Sequence, residues 1–350
     1  MKFLFELFSH KEIRLSFSVT LLTFLASIVF TASCSSDKAK NSERKIPDKI
    51  KGMSLPVWQR ETYSSERYSS ALDRLRTIGV NFVAIVPTLY QESLTESRIY
   101  EDQVMTPSFS SVQRAVQLAK EKGFHIMLKP HIDLKEPIYR GMIKPSDINL
   151  WKRDYIGFIK KYAELAERYN IEIFCVGTEL ETISSEYPEV FDEVIDVVRS
   201  VFSGKLIYAA NWTEYKKIKF WNKLDFIGID AYFHVASSKE PKEDELKVKW
   251  ENILEELRSF SKERGKEIVF TEIGYMSTDG SCSVPWNYLI EEEPDQDEQA
   301  LCYKVVLEYV FPKIKGLFWW EWEFYSDPST NGYTPAGKIA EQIIFQFWKE

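Results

Sequence analysis

One pattern recurs along this chain: a short and nearly unbroken apolar run, a loop, then a longer segment with the amphipathic period of a helix. Eight such runs stand out, at 52–57, 80–87, 124–130, 171–178, 205–211, 225–232, 267–273 and 316–322. Continuous apolar character over so few residues is the pattern of strands covered on both faces, the condition of a parallel sheet. Helical segments lie between them at 65–78, 109–122, 151–169, 188–202, 244–264 and 296–310, and a last one at 336–348 closes the chain. Gly79, Gly123, Gly204, Gly265 and Gly316 fall between a helix and the next strand, where a left-handed cap is wanted. Eight βα units over about 300 residues match a single (β/α)8 TIM barrel, and the fold class expected is α/β. A doubly wound open sheet would carry a glycine-rich loop after its first strand, and Leu55-Pro56-Val57-Trp58 offers no phosphate cradle.

The first residues read as an address. Lys2, Lys11 and Arg14 make a positive region, and 15–30 is an apolar stretch too short for a comfortable membrane span. Thr31-Ala32-Ser33-Cys34 then resembles the end of a bacterial lipoprotein signal, which implies cleavage after residue 33 and lipidation of Cys34. Thr31 departs from the leucine usual at that place, and an uncleaved anchor helix is the alternative. The expected organisation is a signal peptide at 1–33, a flexible polar tether at 34–50 and the barrel at 51–350. The protein is thus expected to be exported and membrane-anchored through an N-terminal lipid, and to be a monomer.

Formal net charge is −8. Loss of 1–33 removes three basic side chains against two acidic ones, so the mature chain is more acidic still. An acidic surface without a basic block argues against nucleic acid or anionic lipid as a partner. Four His, and cysteines without metal-ligand spacing, give no metal site, and no cofactor is expected. Cys175 lies in an apolar run and reads as a small buried residue. Cys282 follows strand 7 and Cys302 lies in the next helix. The exported setting permits a disulfide between them, closing a loop of about 20 residues worth roughly 3 kcal/mol and pinning a wall of the cleft.

In such a barrel the chemistry sits at the C-terminal ends of the strands. Those ends hold Trp58, Lys129, His131, Asp133, Glu179, Glu181, Asn211, Trp212, Asp230, Tyr232, His234, Glu272, Tyr275, Trp320 and Trp322. Carboxylates, amides and aromatics dominate, in a chain with ten Trp. Paired carboxylates with aromatic platforms are what glycoside hydrolysis needs: one acid protonates the leaving oxygen, and another attacks or activates water. The chemistry alone does not choose which two.

Two motifs do. Cys175-Val176-Gly177-Thr178-Glu179-Leu180 and Phe270-Thr271-Glu272-Ile273-Gly274-Tyr275 resemble the strand-4 and strand-7 motifs of clan A glycoside hydrolases. Gly177-Thr178-Glu179-Leu180, Trp319-Trp320-Glu321-Trp322, Lys51-Gly52-Met53-Ser54 and Thr334-Pro335-Ala336-Gly337-Lys338 are similar to glycoside hydrolase family 113, whose known members are β-1,4-mannanases. The resemblance implies Glu179 as acid/base and Glu272 as nucleophile of a retaining enzyme on β-1,4-mannan or mannooligosaccharides. Its carboxyls would stand about 5–5.5 Å apart. It further implies that Tyr232 donates to Glu272. Where the clan usually has Asn before the acid/base, this chain has Thr178, so Asn211 is the candidate for the sugar contact that Asn makes. Lys129 and His131 are candidate subsite donors, and Trp58, Trp212 and Trp320 candidate platforms. The rival readings are a clan A β-glycanase of other specificity, such as a β-glucanase, and a non-catalytic carbohydrate-binding surface lipoprotein.

Overall fold

Along the second strand Phe82, Ala84 and Val86 point into one apolar cluster while Val83 and Ile85 point into another. The first cluster fills a barrel, and the second lies between barrel and helices, which is why the strands read as unbroken apolar runs. The computed structural model describes residues 44–325 and 327–349. Its barrel strands are β1 (Ile50–Pro56), β2 (Phe82–Val86), β3 (His125–Leu128), β4 (Ile173–Thr178), β5 (Lys205–Asn211), β6 (Ile227–Asp230), β7 (Ile268–Ile273) and β8 (Gly316–Trp319). All pair in parallel in sequence order, and β8 returns to β1 with Ile50 opposite Gly316 and Met53 opposite Trp319. This is the closed (β/α)8 barrel that the apolar runs predict.

The helices are α1 (Glu66–Thr77), α2 (Phe109–Glu121), α3 (Ile148–Arg168), α4 (Glu181–Glu186), α5 (Pro188–Val201), α6 (Glu243–Arg264), α7 (Gln296–Val305) and α8 (Ile339–Trp348). Side-chain caps start several of them. Ser65 accepts from the Tyr68 amide, Ser108 from that of Ser111, and Asp147 from those of Asn149 and Leu150. Gly79, Gly123 and Gly265 adopt the left-handed conformation expected after a helix. Gly204 and Gly316 do not; a side chain on Gly316 would instead collide with Ile50 across the seam that closes the barrel.

Several details differ from the sequence reading. No α-helix stands between β5 and β6, only a short 3-10 turn at Trp221–Lys223. Buried Phe220, stacked on Phe191, and Trp221, whose indole donates to the Tyr215 carbonyl, fill that place. β8 ends at Trp319 rather than Trp322, and the Trp320–Glu321 peptide bond is cis. β2 and β3 stop before Pro87 and Pro130, which have no N–H to give a ladder. Beyond them Thr88–Gln91 and His131–Leu134 pair as a separate parallel ribbon above the barrel rim.

Of the tether expected over 34–50, residues 34–43 lie outside the described residues, and 44–50 are bonded to the barrel. Arg44 binds Glu167 at 2.7 Å, Lys49 donates to the carbonyls of Phe311 and Pro312 at 3.2 and 3.0 Å, and Ile50 already belongs to β1. These partners lie at the end of the barrel where the strands begin, so 44–50 is part of the folded body. The signal segment 1–33 and Cys34 lie outside the described residues. Among the described residues no helix is long and apolar enough to cross a membrane. Cys282 and Cys302 form a disulfide, with Cα atoms 6.8 Å apart, and Cys175 is a free buried thiol in the barrel interior.

Candidate active site

The inward face of β3 carries Met127, and two residues on, past the strand's end, comes Lys129. Its side chain is fully buried in the middle of the barrel. The ammonium donates to Glu272 Oε1 and lies 3.2 and 3.4 Å from the two carboxylate oxygens of Asp230, at the end of β6. Burial would lower the Lys129 pKa, but the Asp230 and Glu272 charges outweigh it and leave it raised. On a regular strand Thr271 and Glu272 would face opposite sides. Pairing between β6 and β7 slips here, so that Ile229 faces Phe270 but Asp230 faces Glu272. The irregularity turns both inward: the Thr271 hydroxyl donates to Asp230 at 2.7 Å while Glu272 reaches Lys129.

Tyr232 donates its hydroxyl to Glu272 Oε2 at 2.9 Å. Burial and then the Glu272 charge push the Tyr232 pKa well above the ordinary phenol value, so the O–H stays available as a donor. His131, on the ribbon above β3, has Nδ1 2.6 Å from an Arg140 guanidinium nitrogen. Arginine can only donate, so Nδ1 is the acceptor and the proton sits on Nε2. That nitrogen is buried, has no hydrogen-bond partner, and faces Glu272 Oε1 at 3.7 Å. Burial, with Arg140 and Lys129 adding to it, holds His131 neutral by pushing its pKa well below the usual imidazole value.

Glu179 is placed by a second irregularity. The β4–β5 register shifts between Cys175 and Thr178, and Glu179 itself takes a left-handed conformation, φ +50°, with its amide bonded to the Ala209 carbonyl at 2.8 Å. A left-handed non-glycine residue costs on the order of 1–3 kcal/mol, and such strain gathers at working sites. Its Oε1 accepts from Asn211 Nδ2 at 2.8 Å, and the Arg140 Nε lies 3.9 Å from Oε2. The amide of Asn211 is oriented without ambiguity, because its oxygen accepts from the backbone N–H of Thr213. Glu214 accepts from the backbone N–H of Asn211, from Tyr208 and from Ser184, and so fixes the turn that carries Asn211. Burial first, then the Glu272 charge, push Glu179 from 4.5 up to about 7, against the pull of Arg140, Asn211 and Lys129.

Above these groups opens a cleft of about 790 Å³, within the size range of ligand sites. Glu179, Glu272, Trp58, Asn211, Trp212, Tyr232 and Trp320 all line it. Lys129 and His131, expected as sugar contacts, do not: they are 0% and 2% exposed, with the Lys129 ammonium on carboxylates and His131 Nδ1 on Arg140. Both lie against the Glu272 carboxylate and the Trp320 ring, which cover them. Asn211 likewise turns its amide nitrogen to Glu179. Of the other strand-end residues, Tyr275 is buried beside Trp250, Trp322 lies under Arg74, and Glu181 pairs with Lys217.

Some residues of the site were not anticipated. Arg140 bridges Asp133 at 3.1 Å, His131 and Glu179, but lies in a loop beyond the reach of strand-end counting. Trp286 stacks on Trp212 with ring centres 5.4 Å apart. Its loop is held by the disulfide, by Glu298 accepting the amides of Gly280 and Cys282, and by Tyr333 donating to the Pro285 carbonyl. Gly274 allows β7 to approach β8, since any side chain there would strike the Trp320 carbonyl.

Two carboxyls at the ends of β4 and β7, one held by an ammonium and a phenol and the other pushed toward neutrality, define a glycosidase-type site walled by tryptophans. The sequence matches the model of Glycoside Hydrolase Family 113 over residues 55–337, and the chain belongs to that family. Solved structures agree in fold. A family 113 β-1,4-mannanase superposes with a TM-score of 0.79 at 23% identity, covering 87% of this chain and all of that one. The β-mannanase AaManA from Alicyclobacillus acidocaldarius, solved with ManMIm, gives 0.78 at 25% identity over 86% of this chain and 97% of its own. A β-glucuronidase from Ruminococcus gnavus shares the barrel at TM-score 0.58 and 16% identity, over 87% of this chain and 50% of that one. No curated protein matches by sequence.

The raised pKa of Glu179 makes a prediction about stability. A carboxyl that binds its proton more tightly when folded contributes stability that is complete below the unfolded value near 4.5 and is lost as pH rises through about 7. Burial raises Glu214 to about 7 as well, with the same sign. The melting temperature should therefore fall between about pH 5 and about pH 8, and Glu179→Gln should fall less and exceed the parent at the alkaline end. Calorimetry across that range checks this; a parent whose stability rises with pH there would contradict it.

Proposed function

We propose that this chain is a retaining β-mannanase acting on β-1,4-mannan or mannooligosaccharides, with Glu272 as nucleophile and Glu179 as acid/base. Family membership and the likeness to solved β-mannanases support the substrate class. The observation that carries the assignment of roles is the contrast between the two carboxyls: Glu272 is gripped by Lys129 and Tyr232, whereas Glu179 is raised to about 7.

In the first step Glu272 attacks the anomeric carbon while Glu179 passes its proton to the departing glycosidic oxygen, and the C–O bond breaks. The resulting ester consumes the charge on Glu272. With that charge gone, one of the two forces that raise Glu179 disappears, and its pKa falls. Glu179 is then suited to take a proton from water as the water attacks the same carbon and releases Glu272. One electrostatic coupling serves both half-reactions. Trp58, Trp212 and Trp320 offer ring faces to the sugar units in the cleft.

We also propose that the protein is exported and held to a membrane by lipid on Cys34. Support comes from the segment 1–34 and from the entry of the chain at the barrel end opposite the cleft, where Arg44 and Lys49 are bonded. Cys34→Ala should move the protein from the membrane fraction into the soluble exported fraction. Retention of the variant on membranes would refute lipidation as the anchor.

The assignment of roles is tested by variants that fail in different steps. Glu272→Ala should lose several orders of magnitude on natural substrate and activated aryl mannosides alike. Glu179→Ala should keep the first step on an aryl mannoside with a good leaving group and accumulate the intermediate. Azide should then accelerate that variant and give the β-mannosyl azide, whereas with Glu272→Ala it should give the α-azide. Equal losses on both substrates, with no azide product from either, would overturn the retaining assignment.

A further inference from the structure

Glu321 is a carboxyl that the two-step reaction does not use. It lines the cleft and is 7% exposed. Among the described residues neither carboxyl oxygen has a hydrogen-bond partner: Oε2 is sealed from solvent, and Oε1 is the oxygen left to meet a ligand in the cleft. The two ionisable groups that bear on it most are carboxylates, Glu323 and Glu272, and burial with these neighbours raises its pKa well above the ordinary value. A neutral carboxyl offers one O–H donor and one carbonyl acceptor, and both want partners.

The backbone does not let Glu321 turn away in search of them. The residues on either side are pinned: the Trp320 amide donates to the Ile273 carbonyl of β7 at 2.8 Å, and the Trp322 amide donates to the Ser54 carbonyl of β1 at 3.0 Å. Close approach of Trp320 to Gly274 tightens the same corner. A buried polar group without a partner is unfavourable, and in most proteins such a group is satisfied or removed. One fixed rigidly at the wall of a binding cleft is explained if its partner arrives with the ligand.

We propose that Glu321 is a specificity-determining contact that exchanges hydrogen bonds with a hydroxyl of the sugar seated against Trp320, beside Glu272. The inference rests on the glycosidase reading of the cleft and assigns to this one side chain the recognition of one hydroxyl. Trp320 supplies the apolar side of the same pocket, its indole stacked with His131 at a ring separation of 6.0 Å. Glu321 thus lies where a sugar would meet an aromatic face and a hydrogen-bonding edge together.

The test is a cycle between protein and substrate. Glu321→Leu removes both hydrogen-bonding functions, and Glu321→Gln keeps a donor and an acceptor in nearly the same shape. Aryl β-mannobiosides, each lacking one hydroxyl of the glycone, provide the other arm. With the intact substrate Glu321→Leu should lose roughly 30-fold in kcat/KM, about 2 kcal/mol, while Glu321→Gln stays within a few-fold. At one deoxy position the parent should show a similar loss, and Glu321→Leu should show no further loss there. Melting temperatures of both variants should match or exceed the parent's, because an unsatisfied buried group has been replaced. Deoxy and Leu penalties that multiply at every position would overturn the proposal, as would an unchanged kcat/KM in Glu321→Leu, which would leave ordered water as the partner. If the parent turns over only some other β-glycoside, the mannan reading fails, and the same cycle run on that glycoside decides Glu321 independently.

Discussion

The site depends on one ammonium group placed where two carboxylates converge. Lys129 is buried completely, and Asp230 and Glu272 share it. Burying three ionic groups is expensive and stabilises a fold only when the groups satisfy one another, with further hydrogen bonds filling the remaining positions. Thr271 and Tyr232 supply those bonds. Without the lysine, Asp230 and Glu272 would face each other as like charges in a poorly solvated space, and one would hold a proton. Burial and the Glu272 charge already push Asp230 well above its ordinary value even with Lys129 present. Lys129 therefore holds Glu272 from below, and of the two carboxylates only Glu272 lines the open cleft.

Around that ammonium, the barrel departs from regularity wherever the chemistry asks for it. Regular strands send successive side chains to opposite faces, which would put either Thr271 or Glu272 outside. The slipped registers at β4–β5 and β6–β7, and the left-handed backbone of Glu179, break that rule at the two places where carboxyls must converge. Each departure is unfavourable by itself. So are a carboxyl raised to about 7 and an unpartnered one at Glu321. The stabilisation that offsets them comes from below, where strands buried on both faces close a continuous apolar interior. Strain sits at the rim and cohesion at the base, a division that lets the cleft hold a geometry a free chain would avoid.

Much of this was legible in the sequence, for physical reasons that differ from residue to residue. The barrel was readable because eight strands covered on both sides must be apolar throughout. Glu179 and Glu272 were readable only through the motifs around them, since a carboxylate near a strand end has no mark of its own. Depth was not readable. Lys129 and His131 look like rim residues when counted from the strand, and only the closed geometry shows them beneath Glu272. Arg140 and Trp286 lie in loops that no period describes, although each completes a site that the strands begin. The turn after β5 failed for another reason: aromatic packing by Phe220 and Trp221 replaces the helix that the repeat leads one to expect.

The central claim is that Glu272, held by Lys129 and Tyr232, forms a covalent bond to the sugar. A 2-deoxy-2-fluoro-β-mannosyl fluoride addresses it directly, because the 2-fluorine slows both steps while the good leaving group restores the first, so the covalent intermediate accumulates. Intact-mass analysis followed by peptide mapping should find one fluoromannosyl group on the peptide carrying Glu272, with inactivation in step with labelling. A label on Glu179, or the absence of any adduct together with an inverted product from the natural substrate, would contradict the account.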